Sequence, residues 1–168
     1  MKTMNEQYKC AVITASDSTA AGTRDDASGP ALISLLQSEG FCDIYYEAVS
    51  DEYDKLRALF LNLCDERKVN LILTTGGTGF SPRDITPEAT EAVIEKKAPG
   101  IAEAIRASSL QFTPRAMLSR AVAGIRGQCI IINMPGSPKA VQECFEIIRP
   151  ILGHALGILC RNAADCAR

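Results

Sequence analysis

The sequence predicts an α/β fold, a single three-layer α/β/α domain with a mostly parallel sheet. Three observations carry that prediction. Short apolar runs at 9–15 (KCAVITA), 69–75 (VNLILTT) and 129–133 (CIIIN) read as strands buried on both faces. Segments of helical periodicity separate them, so strands and helices alternate along the chain. With 168 residues, 46% hydrophobic and 23% charged, there is material for one core and too little for two comfortable ones. One domain over 1–168, with its core at about 9–160, is therefore expected.

The elements follow in order. The strand at 9–15 opens into a polar loop at 16–27 (SDSTAAGTRDDA). Ser28 as N-cap, Pro30 in the first turn and Gly40 past the end frame a helix. Residues 44–49 alternate enough for a second strand. The stretch 51–66 puts Tyr53, Leu56, Phe60, Leu63 and Cys64 on one helical face. After the third strand comes a long loop at 76–84, then two helices at 87–97 and 100–110 divided by Ala98-Pro99. The segment 111–128 breaks at Phe112-Thr113-Pro114, with 116–125 partly helical. The strand at 129–133 leads through Pro135-Gly136-Ser137 into a helix at 138–148, and Pro150 kinks or ends it before 151–160 continues. In such sheets ligands bind outside the carboxyl ends of the strands. That singles out the loops at 16–27, 76–84 and 135–138.

Composition removes several function classes. Lys and Arg total 18 against 20 Asp and Glu, a net charge of −2, and Trp is absent, so a nucleic-acid face is not expected. The seven cysteines, at 10, 42, 64, 129, 144, 160 and 166, are odd in number, and no pair has a zinc-knuckle or redox spacing. Most sit in apolar segments, where cysteine acts as a small hydrophobe, which fits a reduced, cytoplasmic protein. The polar start MKTMNEQYK has no signal-like apolar region, and no run approaches a membrane span, so a soluble protein is expected. His154 is the single histidine, and a packing or helix-surface role suits it better than catalysis. Zinc catalysis and a Ser-His-Asp triad are accordingly disfavoured.

The richest stretch is 74–90, TTGGTGFSPRDITPEAT. Gly76, Gly77 and Gly79 let the backbone turn sharply and present N–H groups to an anion, with hydroxyls from Thr74, Thr75 and Thr78. The pattern is neither a Walker A loop nor GxGxxG. Taken alone it reads equally as a phosphate loop or as a turn that only reverses the chain. Arg83 and Asp84 follow, just before a helix start with Thr86 as N-cap and Pro87 in the first turn. Asp84 is then either a helix-end charge or a carboxylate that holds Mg2+ on phosphates. Asp51 occupies the matching place after the second strand, as a first-turn charge or a second acid of the same crevice. The 16–27 loop, with Ser16, Asp17, Ser18, Gly22, Arg24 and Asp25, is either solvated or part of that crevice. Ser137 and Pro138 start a helix whose N-terminus is a candidate second anion site.

Taken together, SDSTAAGTRDDASGPAL, TTGGTGFSPRDITPEAT and NMPGSPKAVQEC resemble the family of molybdenum-cofactor biosynthesis proteins, molybdopterin adenylyltransferases in particular. The resemblance runs from about residue 9 to 160. It implies transfer of AMP from Mg-ATP to the terminal phosphate of molybdopterin, with release of pyrophosphate. Carried over by position, the two important acids fall on Asp51 and Asp84, which would also hold Mg2+. Ser18, Thr75, Gly76, Gly77, Thr78, Gly79, Arg83, Thr86, Glu103, Pro135, Gly136 and Ser137 would bind pterin or nucleotide. Arg106, Ser119 and Arg120 also fall on family-like positions. A non-catalytic pterin carrier is the alternative within the family. A homotrimer is implied, with a molybdate-insertion enzyme as a partner, and the C-terminal tail of some bacterial members is not expected after Cys160.

Overall fold

The computed structural model describes residues 5–160; Cys166 and the first four residues of the polar start lie outside them. The strands are β1 (Lys9–Ala15), β2 (Asp43–Val49), β3 (Leu71–Thr75), β4 (Lys96–Lys97), β5 (Ala123–Arg126) and β6 (Cys129–Met134). They form one sheet in the order β2-β1-β3-β6-β5-β4. The first four neighbours run parallel, and β5 and β4 are antiparallel additions at one edge. From β1 the chain goes outward to β2 and returns to the far side as β3. The switch point therefore lies between the carboxyl ends of β1 and β3.

Helices cover both faces. They are α1 (Asp17–Ala20), α2 (Ser28–Ser38), α3 (Tyr53–Leu61), α4 (Thr86–Glu91), α5 (Pro99–Ser109) and α6 (Pro138–Cys160). A π turn, Asn62–Glu66, extends α3, and a 3-10 turn, Pro114–Leu118, follows α5. The period-two alternation of buried strands divides the core in two. Cys10, Val12, Leu71, Leu73, Ile130 and Ile132 pack with Leu32 and Leu36 of α2, Ile105 of α5 and Phe145 of α6. Ala11, Ile13, Ile72 and Ile131 pack on the other side with Leu56 and Phe60 of α3 and Ala89 of α4. The result is the three-layer α/β/α arrangement that alternation of elements predicts.

Several boundaries differ, each for a physical reason. Ser28 does not cap α2. The Asp26 carboxylate does, accepting from Ser28 N and Gly29 N at 3.0 Å each. Asp51 is not in the first turn of α3, which starts at Tyr53; Tyr53 itself is exposed rather than part of the buried stripe. The helix expected to run to 97 stops at Glu91, because Lys96 and Lys97 pair with β5, itself the first arm of a hairpin turned at Gly127. Residues 116–125 accordingly divide into the 3-10 turn and β5. Finally, α6 continues through Pro150. Val141, Phe145, Ile148, Leu152 and Leu156 form one buried stripe across it, and that packing outweighs the missing donor.

Candidate functional site

Thr75 ends β3 and leads into a backbone that only glycine can follow. Gly76 has φ +90°, and a Cβ there would stand 2.4 Å from the carbonyl oxygen of Ala15, at the end of β1. Gly77 has φ +66°, and its Cβ would stand 2.3 Å from Thr86 Oγ1 and 3.1 Å from Asp51 Oδ1. The loop thus crosses the switch point pressed against the neighbouring strand. Thr86 supports it from behind: its hydroxyl donates to Gly76 O at 3.0 Å and its N–H to Gly77 O at 3.1 Å. Thr86 is fully buried and caps no helix, a correction to its expected N-cap role. Thr75 Oγ1 donates to Pro135 O at 2.8 Å, which ties this loop to the one after β6.

Arg120 braces the outer half of the loop. Its Nε donates to Gly79 O at 2.8 Å, its Nη2 to Asp84 O at 2.9 Å, and its Nη1 pairs with Glu88. Its own N–H donates to Thr78 O at 2.8 Å. Asp84 Oδ2 accepts from Ser81 N at 3.0 Å, which fixes the carboxylate beside the glycine stretch.

Asp51 comes from the loop after β2. Its Oδ2 accepts from Asp17 N, and its own N–H donates to Asp17 Oδ1, both at 3.0 Å. Asp51 Oδ1 is buried and has no hydrogen-bond partner among the described residues. Burial raises the Asp51 carboxyl above the usual aspartate range; the Asp17 N–H opposes this, and the charges of Asp17 and Asp84 add to it. Asp26 shows the reverse balance. Burial pushes it up, but donors from Thr14, Tyr46, Gly29 and Ser28 outweigh that and hold it below the usual range.

Two chambers open on these loops. A polar one of about 370 Å³ is lined by Ser16, Arg24, Asp25, Asp26, Asp51, Thr75 and Ser137. An apolar one of about 420 Å³ lies over Thr78, Gly79, Ile105, Ala116, Leu118 and Cys144, with Arg106, Ser109 and Arg115 at its walls. Gly76, Gly77, Asp84 and Gly136 line both and form the ridge between them. The polar chamber sets four carboxylates, Asp25, Asp26, Asp51 and Asp84, against one cation, Arg24. In the apolar chamber Arg115 has no ion-pair partner among the described residues. A larger cavity of about 520 Å³, lined by Tyr8, Asn70, His154 and Cys160, lies away from these loops.

Most sequence-predicted residues converge here. Asp51, Asp84, Thr75, Gly76, Gly77, Thr78, Gly79, Pro135, Gly136 and Ser137 all line a chamber. Ser137 also caps α6, its Oγ accepting from Ala140 N at 3.2 Å. Ser18 stands one step back, with its hydroxyl 3.1 Å from that of Ser16. Arg83 is engaged by Asp17 and lines a separate cleft beside Asp51 and Tyr53. Glu103 is on the exposed face of α5 and lines neither chamber. Sequence reasoning missed Arg115, Ile105 and Leu118, which have no motif of their own. It also missed Asp26, although a carboxylate three residues before Gly29 at a helix start is a capping signal.

Comparison with known proteins adds to the geometry. The sequence profile described as "Probable molybdopterin binding domain" matches residues 11–154. A molybdopterin adenylyltransferase of Helicobacter pylori is 42% identical over 153 residues, covering 90% of this chain and 87% of the relative. The crystal structure of the molybdopterin biosynthesis enzyme MoaB from Thermus thermophilus superposes with a TM-score of 0.86 at 40% identity, covering 91% of this chain and 96% of that one. The molybdopterin biosynthesis Mog protein of Mycobacterium ulcerans also gives 0.86, at 37% identity and 90% and 99% coverage.

Proposed function

Because the chain belongs to the family of the probable molybdopterin binding domain, we infer that it is a molybdopterin adenylyltransferase of molybdenum cofactor biosynthesis. The reaction joins an oxygen of the terminal phosphate of molybdopterin to the α-phosphorus of ATP. The bond from that phosphorus to the bridging oxygen breaks, and pyrophosphate leaves. The observation that carries this reading is the ridge: Gly76, Gly77, Asp84 and Gly136 divide a polar chamber from an apolar one. A nucleotide triphosphate suits the first and a pterin the second, so the two phosphates meet over Asp51 and Asp84.

The residues fit a magnesium ion shared with phosphates. Asp51 Oδ1 is a buried oxygen without a partner, and the polar chamber has too much negative charge to take a polyphosphate unaided. Among the described residues no group of three or more His, Cys, Asp or Glu converges on a metal. Mg2+ is suited to such a place, since it takes one or two carboxylates and leaves its other positions to phosphates and water. Asp51 and Asp84 would hold it, and it would supply charge neutralisation on the phosphates. The chain does the rest by positioning. The Gly76–Gly79 backbone and Thr78 hold the meeting point, Thr75 fixes the Pro135 loop against it, and the α6 N-terminus behind Ser137 favours anionic oxygens. In the apolar chamber the Arg106 and Arg115 walls suit an anionic tail on a flat heterocycle.

The reading extends to a cytoplasmic homotrimer of one-domain chains that passes its product to a molybdate-insertion enzyme. Free thiols at Cys10, Cys42, Cys64, Cys129, Cys144 and Cys160 suit that compartment, and no helix among the described residues is long and apolar enough to cross a membrane. The deciding experiment mixes protein, Mg-ATP and molybdopterin and measures pyrophosphate. Release that depends on both substrates is expected. Pterin binding without pyrophosphate would instead identify a carrier.

A further inference from the structure

We propose that Asp17, held by Arg83, is a positioning residue that aims the free carboxylate oxygen of Asp51 at the ridge between the chambers. The proposal rests on the adenylyltransferase reading for its chemistry and on geometry for its substance. Three loops meet at Asp17. Its carboxylate accepts from Arg83 Nε and Nη2, both at 2.9 Å, so the guanidinium of the β3 loop is bound through two parallel hydrogen bonds. The same carboxylate accepts the N–H of Asp51, from the β2 loop, at 3.0 Å. Asp17 N then returns a bond to Asp51 Oδ2 at 3.0 Å, and Ser16 N donates to Val49 O at 2.9 Å just below.

This reciprocal pair leaves Asp51 only one free oxygen. Oδ2 is taken by Asp17 N, so Oδ1 is the one turned toward Gly77, where a Cβ would come within 3.1 Å of it. Without the bond from Asp17 N, rotation about the Asp51 side chain would present either oxygen. Without Arg83, Asp17 would hold an unpaired negative charge beside Asp51, and the two carboxylates would repel. Arg83 therefore acts through Asp17 and does not contact phosphate. An exposed ion pair by itself would contribute little, but a two-point clamp that sets the geometry of a half-buried carboxylate acts on that carboxylate.

Mn2+ is the probe, read by electron paramagnetic resonance on the full chain with ATP, alongside pyrophosphate formation. Asp17→Asn, Arg83→Gln and the double variant are compared, with circular dichroism to verify the fold and Asp17→Glu as a second probe of geometry. Each single change is expected to weaken Mn2+ binding by about tenfold or more, as loss of an outer partner of a metal ligand does. The double variant is expected to lose no more than the worse single one. ATP affinity at saturating Mn2+ is expected to hold. Additive losses, or weaker ATP binding in Arg83→Gln at saturating Mn2+, would make Arg83 a phosphate ligand and overturn the proposal. Unchanged Mn2+ affinity in both variants would overturn it as well. A parent protein that binds Mn2+ but forms no pyrophosphate defeats the adenylyltransferase reading alone, and the Mn2+ affinities still decide the role of Asp17.

Discussion

Asp51 has one carboxylate oxygen satisfied by Asp17 N and one buried without a partner, so its ionised form is held at a cost to the fold. Burial raises its affinity for a proton in the folded state above that of an ordinary aspartate. A raised folded value contributes stability that is fully present below the unfolded value and is lost as pH rises through the folded one. At neutral pH the folded protein therefore bears the whole penalty. Asp51→Asn is expected to unfold at a higher urea concentration than the parent at pH 7, with the difference shrinking as the pH falls, while turnover is lost. A lower midpoint for the variant at pH 7 would refute the burial account. Asp84 differs, because its Oδ2 is held by Ser81 N at the rim of the glycine stretch. Asp84→Asn is expected to keep the fold and pterin binding and to lower turnover by about 100-fold or more, as loss of a charge acting on the transition state does. Turnover at the parent rate would remove Asp84 from the chemistry.

The glycine loop behaves as an element only because other elements grip it. Arg120 holds the carbonyls of Gly79 and Asp84 from the loop leading into β5, and Thr86 holds that of Gly76 from the start of α4. Arg120→Ala is expected to cost about 2 kcal/mol in unfolding free energy, through charged hydrogen bonds lost and carbonyls left unpaired, and to lower turnover as well. Urea denaturation checks the first expectation and pyrophosphate release the second; stability equal to the parent would mean that the loop holds itself. These grips mark the limit of what the sequence makes legible. Three of the four parallel strands could be read because each is a continuous apolar run, and β2 because it alternates; the glycine stretch alone read equally as a plain turn, and the Arg83-Asp84 continuation singled it out. The β4–β5 ladder could not, since Lys96–Lys97 and Ala123–Arg126 are too short to express a period. Pro150 does not end α6, because the local rule for proline ignores a buried stripe on both sides of it. Arg83 was expected at the ligand, and nothing in PRD records that Asp17, 66 residues earlier, faces it. The apolar chamber was invisible for the same reason: Ile105, Ala116 and Cys144 belong to separate elements joined only by packing.

Across the whole molecule, the sheet order decides where the two chambers lie. The polar chamber takes its walls from the loops after β1 and β2, together with the start of α2. The apolar chamber takes its walls from α5, the 3-10 turn and α6, all on the β3 and β6 side. The residues that line both, Gly76, Gly77, Asp84 and Gly136, come from the β3 and β6 loops. If the chambers divide the substrates, filling one should leave the other working. Ala140 lines only the apolar chamber, in the first turn of α6, and Ala27 lines only the polar one, just before α2. Ala140→Phe is expected to raise the KM for molybdopterin by about tenfold or more, about 1.4 kcal/mol of lost binding, with little change for ATP. Ala27→Phe is expected to do the reverse. Both side chains enlarge a chamber wall outside the two cores, so thermal denaturation should place both variants near the parent. Steady-state kinetics with each substrate varied in turn separates the effects. A variant that weakens both substrates alike would show that the ridge does not partition them and that pterin and nucleotide share one continuous crevice.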